Sequence, residues 1–228
     1  MNEITYISLT TIPPRFENIG KTLECLLNQK AEIFEICLVI PKIYSRFPDW
    51  NGDLPQVPKG IKLLRCEKDL GPACKLFPTL HSIENIDSYV LYCDDDWEYQ
   101  PMWAQTFINN KLKNNSVIAS STFKVERLGK KNGSIVQGFG GVLVQKRFFT
   151  DEDYNIPSPY QWVDDIWVST CLRKNMISVE KNKQAKQFIK NGYRDNYELQ
   201  NATFLTKKRA ELNLAAVNYS SDRYKIWI

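Results

Sequence analysis

Two clusters of carboxylates define the chemistry open to this chain. Three consecutive acids, Asp94-Asp95-Asp96, close the apolar run Tyr89-Val90-Leu91-Tyr92-Cys93. A second pair, Asp164-Asp165, stands far downstream between Trp162 and Trp167. The Val- and aromatic-rich run reads as a buried strand. Carboxylates crowded at its end repel one another unless a cation or hydrogen-bond donors offset the charge. Alternation along an extended chain sends Asp94 and Asp96 to one side. Two carboxylates on one side suit a hard divalent ion, which in turn grips phosphate. The alternative is a solvated turn, with Asp96 as an N-cap ahead of Pro101. The second pair suits a general base, since an aromatic wall raises a carboxylate pKa. The competing role is capping of the helix that follows it.

The remaining groups narrow the reaction class. Lys75 follows Gly71-Pro72-Ala73-Cys74 in the first turns of an expected helix. Backbone donors and an ammonium there make an anion site suited to phosphate, unless Lys75 is simply exposed. The segment lacks the P-loop spacing, and no GxGxxG follows the first strand. His81 is the only histidine, so zinc hydrolysis and a Ser-His relay are poorly supported. No GxSxG is present.

These groups need a scaffold, and the apolar periodicity supplies one. Strands are expected at Thr5–Leu9, Glu35–Ile40, Ile61–Leu64, Ser88–Cys93 and Val117–Ser121. Helices are expected after Pro14 (Phe16, Ile19, Leu23, Leu26, Leu27), from Gly71 to His81, and from Pro101 (Trp103, Phe107, Ile108, Leu112). Residues 45–60, with three prolines and two glycines, form a loop. Strand and helix thus alternate four times in the first 120 residues, which implies an α/β fold with a mainly parallel central sheet flanked by helices. Ligands of such sheets bind beyond the carboxyl ends of the strands, where Thr10, Thr11, Asp69 and the three acids fall. Ser134–Gln145 is a further strand around Gly138-Phe139-Gly140-Gly141, whose glycines permit a bulge or close approach to a ligand. A short helix follows Asp164-Asp165 and ends near Arg173.

At 228 residues, the chain is expected to form one domain. The expected division is residues 1–121 with the alternating strands and helices, 122–175 with the glycine strand and the second acid pair, and 176–228 as a C-terminal extension. A hydrophobic content of 43% and a charged content of 25% are ordinary for a globular protein. The net charge of +4 is too mild to argue for nucleic acid. Six cysteines at 25, 37, 66, 74, 93 and 171 show no zinc spacing and read as free thiols. With no membrane-length apolar stretch and no basic, apolar leader, a cytoplasmic location is expected. Residues 173–194 carry seven Lys or Arg against one acid. That stretch is either a solvated face or a dock for anionic lipid at the inner membrane face, with Phe188, Ile189 and Tyr193 inserting.

Five segments, in order, resemble small nucleotide-sugar-dependent glycosyltransferases of the GT-A fold, of the capsule, lipopolysaccharide or minimal viral type. Tyr6-Ile7-Ser8-Leu9-Thr10 with Thr11-Ile12-Pro13-Pro14-Arg15 resembles the opening nucleotide-binding strand and turn. Asp69-Leu70-Gly71-Pro72-Ala73-Cys74-Lys75 resembles the segment beside the nucleotide. Leu91-Tyr92-Cys93-Asp94-Asp95-Asp96 resembles the DxD motif. Gly138-Phe139-Gly140-Gly141-Val142 resembles the glycine strand beside the donor sugar, and Trp162-Val163-Asp164-Asp165 the motif carrying the base of inverting enzymes. The likeness covers roughly residues 4–175. It implies Mn2+ or Mg2+ on Asp94 and Asp96, and donor contacts from Thr10, Thr11, Arg15, Asp69, Lys75, Asp94, Asp95, Gly140 and Gly141. It implies Asp165 as base, with Asp164 in reserve, and transfer from a nucleotide-diphosphate sugar, UDP-linked by preference, to a carbohydrate or lipid-linked glycan. Relatives often add a late histidine or acid to the metal; this chain has no late histidine, and the substitute is Asp195 or water. The rivals are a sugar nucleotidyltransferase, which wants a glycine- and arginine-rich loop after the first strand, and a non-catalytic glycan- or polyanion-binding protein, which leaves both acid clusters idle.

Overall fold

The computed structural model describes residues 4–110, 116–198, 203–204 and 207–228. The first half runs β1 (Thr5–Thr10), α1 (Ile19–Leu27), β2 (Glu35–Pro41), β3 (Ile61–Cys66), α2 (Phe77–Ser82), β4 (Tyr89–Tyr92), β5 (Trp97–Tyr99) and α3 (Trp103–Ile108). The second half continues with β6 (Ser116–Lys124), β7 (Ser134–Gln145), α4 (Asp164–Lys174), β8 (Ser178–Lys181), β9 (Ile189–Asn191) and α5 (Arg209–Tyr224).

Seven strands form one sheet in the order β3-β2-β1-β4-β7-β6-β8. All run parallel except β7, which is antiparallel to both β4 and β6. The sheet is buried on both faces, which explains the nearly continuous apolar runs of β1, β2 and β4. Tyr6, Cys37, Val90 and Tyr92 point into one core with α2, α4 and α5. Ile7, Leu9, Leu38, Leu91 and Cys93 point into the other with α1 and α3. Strand order reverses between β1 and β4, so a crevice opens beyond their carboxyl ends.

The link from β2 to β3 carries no helix, in line with the loop expected over residues 45–60. Two other expectations change. The helix expected from Gly71 to His81 splits at Leu76 (φ −126°, ψ −62°) into a 3-10 turn, Gly71–Lys75, and α2. Pro78 is the reason: it lacks an N–H and crowds the preceding turn, so a helix starts there and does not pass through. β5 and β9 form a small antiparallel sheet that the periodicity missed. Leu112 lies outside the described residues.

Candidate active site

The acids at the end of β4 fan out because strand alternation persists briefly past Tyr92. Asp94 continues the Val90–Tyr92 face and meets Lys75 Nζ at 2.6 Å. Asp95 continues the Leu91–Cys93 face, towards α1. There it is buried and accepts hydrogen bonds from Arg15 Nη1 (2.5 Å) and Thr11 Oγ1. The chain then turns, and Asp96 lies 3.4 Å from Arg15 Nη2. Asp94 and Asp96 therefore engage different cations, contrary to the expectation of one shared side. Asp96 Oδ1 is buried without a hydrogen-bond partner. Burial, with Asp94 and Asp95 close by, pushes its carboxyl up to about 7 against the pull of Arg15.

Asp164 and Asp165 occupy the first turn of α4, where acids suit the helix dipole. Capping and chemistry thus coincide. Asp164 is buried, 2.9 Å from Lys75 Nζ and 3.9 Å from Arg209 Nη2. Asp165 Oδ1 accepts the Gly138 amide at 3.0 Å, beside the stretch of β7 that runs on past the end of β4. Burial, with Asp164 next door, pushes its carboxyl up to about 7, although Lys75 opposes the shift. Lys75 is itself buried. Burial opposes its charge, but Asp164, Asp94 and Asp165 outweigh that and hold it protonated. One ammonium thus joins the acid turn to the acid pair of α4.

These groups line a cavity of about 630 Å3 at the β1/β4 crevice. Of the residues expected at the site, Thr10, Thr11, Arg15, Asp69, Lys75, Asp94, Asp95, Asp96, Asp164 and Asp165 all reach its wall. Several are already engaged. Thr10 Oγ1 donates to the Val39 carbonyl (2.7 Å), and Asp69 accepts the Ser45 and Gly71 amides (2.7 and 2.8 Å), which pins the two loops together. Gly140 and Gly141 do not reach the wall. A Cβ on Gly140 would fall 2.2 Å from Ser120 Oγ, and one on Gly141 (φ +101°) 2.6 Å from the Trp103 ring, so both glycines serve packing. The glycine that opens space at the site is Gly138, whose Cβ would meet Lys75 Nζ at 2.7 Å. Asp195 gives both oxygens to Arg15 (2.7 and 3.2 Å).

Sequence reasoning missed Tyr44, Trp97, Gln137 and Arg209 on the cavity wall. Tyr44 donates to the Thr11 carbonyl (2.9 Å), and Arg209 to that of Trp162. Trp97, one residue beyond the acids, was the available signal. The basic stretch is not one surface. Lys174 pairs with Asp153, Arg194 lines the cavity, and Phe188 and Ile189 pack into the core rather than standing free for insertion. No helix among the described residues is long and apolar enough to cross a membrane. All six cysteines are free thiols.

No set of three or more His, Cys, Asp or Glu among the described residues is arranged to hold a metal unaided. Two observations still fit a hard divalent ion: the oxygen-only donors Asp94 and Asp96, and the orphaned, buried Asp96 Oδ1.

Solved structures share this architecture. Glucosyl-3-phosphoglycerate synthase from Mycobacterium tuberculosis, in complex with Mn2+, UDP and glucosyl-3-phosphoglycerate, superimposes with a TM-score of 0.58 at 11% identity, over 99% of this chain and 81% of that one. Mannosyltransferase PcManGT from Pyrobaculum calidifontis, in complex with GDP-Man and Mn2+, gives 0.51 at 12% identity, over 80% and 55%. The chain thus spans about half the length of the latter. Both neighbours are GT-A glycosyltransferases, and this chain has the GT-A fold. No protein-family model and no curated protein matches it.

Proposed function

We propose that the protein is a metal-dependent, inverting glycosyltransferase that moves a sugar from a nucleotide-diphosphate donor, UDP-linked by preference, to a carbohydrate acceptor. The observation that carries this reading is Lys75, which gathers Asp94 of the acid turn and Asp164 of α4 in one crevice. A binding module has no need of two acid groups drawn to one buried cation. The nucleotides crystallised with the fold neighbours are UDP, a nucleoside diphosphate, and GDP-Man, a nucleoside-diphosphate sugar.

Asp96 and Asp94 would hold Mn2+ or Mg2+, which would offset the charge that grows on the departing diphosphate. Lys75 supplies a second, fixed positive charge to the same oxygens. Asp165, held by the Gly138 amide and poised near neutrality, takes the proton of the acceptor hydroxyl. A base on one side of the sugar carbon and the diphosphate on the other give inversion in one displacement. Asp164, tied to Lys75, positions that ammonium. A lipid-linked acceptor or an anionic membrane surface rests on the exposed Lys181, Lys183, Lys186 and Lys190 alone. Co-sedimentation with anionic against neutral vesicles tests it.

The deciding experiment is calorimetry of UDP with and without Mn2+. The wild type binds UDP in a Mn2+-dependent manner, and Asp96→Asn loses that dependence while keeping its Tm. Unchanged affinity in the variant at saturating Mn2+ overturns the metal assignment.

A further inference from the structure

Part of the cavity wall is left without work by the roles above. Trp97 of β5 and Phe139 of β7 stack with ring centroids 5.0 Å apart and planes 33° apart. Both are half-buried and line the cavity. Their backbones are anchored: the Trp97 carbonyl accepts Thr22 Oγ1 (3.1 Å) and the Phe139 carbonyl accepts Tyr99 Oη (3.0 Å). Two carboxamides flank the rings. Asn191 pairs with Trp97 across β5 and β9 and lines the cavity too. Gln137 accepts Ser121 Oγ (2.9 Å), which leaves its NH2 as the unused donor among the described residues. The rings also sit close to the chemistry. Gly138, between Gln137 and Phe139, donates to Asp165, and a Cβ on Gly192 would fall 2.8 Å from the Asp96 carbonyl.

We infer that this is a pyranose subsite, with the sugar ring lying against the Trp97–Phe139 pair and its hydroxyls held by Gln137 and Asn191. A pyranose face carries several polarised C–H bonds that match the negative face of an aromatic ring. Its rim carries hydroxyls that both donate and accept, as a carboxamide does. None of the four side chains is charged, so the subsite does not select phosphate. The inference rests on the glycosyltransferase reading for its meaning, but not for its test.

The ring belongs to the acceptor or to the donor's sugar, and the arms of one experiment separate them. Methyl glucoside, galactoside and N-acetylglucosaminide are examined by saturation-transfer NMR. UDP, UDP-glucose and GDP-mannose are examined by calorimetry with Mn2+. Trp97→Ala and Phe139→Ala are expected to weaken about tenfold either the free glycosides or the increment of a nucleotide-sugar over its nucleotide. Trp97→Phe retains most of the effect and controls for folding. Loss with free glycosides identifies the acceptor's ring, and loss of the increment the donor's; either supports the subsite. Weakened binding of UDP alone would mean that the rings hold the base and overturns the inference, as does unchanged binding of every pyranose. A wild type that binds glycosides through Trp97 but no nucleotide keeps the subsite and sinks the glycosyltransferase reading instead.

Discussion

Lys75 and Arg15 each sit among three carboxylates and share the acid turn Asp94-Asp95-Asp96. Lys75 faces Asp94, Asp164 and Asp165, and Arg15 faces Asp95, Asp96 and Asp195. In each cluster one carboxylate is left over, and each leftover is pushed up to about 7: Asp165 in the first, Asp96 in the second. The surplus charge is alike, but the surroundings differ. Arg15 spends its planar fork on Asp95 and Asp195, which leaves Asp96 with a buried, partnerless oxygen that a cation would satisfy. Asp165 has a backbone amide and a partly open face, so it can exchange a proton. Neighbouring carboxylates with different environments can take different roles, and those proposed above are metal ligand for Asp96 and base for Asp165.

The sharpest way to break this comparison is Asp165→Asn. Turnover should fall about 10²- to 10⁴-fold, the usual worth of a positioned base, with Mn2+-dependent UDP affinity unchanged. If Asp164→Asn removes the turnover instead, the roles within the pair are exchanged. A product that keeps the donor's anomeric configuration rules out the single base altogether.

Lys75→Met should have the next largest effect, on stability. It leaves Asp94 and Asp164 without their cation, and breaking a buried pair from one side costs about 3–5 kcal/mol. For a chain of this size, that is a fall in Tm of roughly 10 °C. Arg15→Lys should cost less, since a lysine still supplies charge to Asp95. Equal losses in the two variants would show that the clusters do not differ as described.

A smaller effect has the opposite sign. Asp165 has a raised folded-state pKa, so the folded protein binds its proton more tightly than the unfolded chain does. Its stabilising contribution is full below the unfolded value near 4 and is lost as pH rises through about 7. Asp165→Asn should therefore raise Tm by several degrees at pH 8 and hardly change it at pH 4. Wild-type kcat should fall on the acid side of about pH 7, where the base is protonated. A Tm gain independent of pH would remove the ionisation cost assigned to Asp165.

Local signals made half of this site legible. The three acids ended an apolar strand, Lys75 followed a Gly-Pro turn, and Ser134–Gln145 was bounded as a strand at both ends, so sheet edge and cavity followed from period and punctuation. What failed depended on distant partners. Gly140 and Gly141 read as ligand glycines because nothing local reveals that Ser120 and Trp103 fill the space beside them. Asp195 read as a metal ligand because its partner, Arg15, is 180 positions away. The Trp97–Phe139 pair is likewise a product of two elements meeting, invisible in either alone.

Asp195 yields the smallest and most diagnostic prediction. Burial pushes its carboxyl up, but the Arg15 hydrogen bonds and the Tyr197 amide outweigh burial and hold it below the ordinary value. The sign is opposite to that of Asp165: its stabilisation is present above the unfolded pKa and lost as pH falls through the lower, folded one. Asp195→Asn should lower Tm by about 2–4 °C at pH 7, for roughly 1 kcal/mol of charge-assisted bonding. The deficit should shrink as pH falls below about 4, while the Asp165→Asn gain grows in the other direction. Mn2+-dependent UDP binding should survive in Asp195→Asn, because both Asp195 oxygens are engaged by Arg15. Loss of that binding at unchanged Tm would restore Asp195 to the metal shell and undo the division between the two clusters.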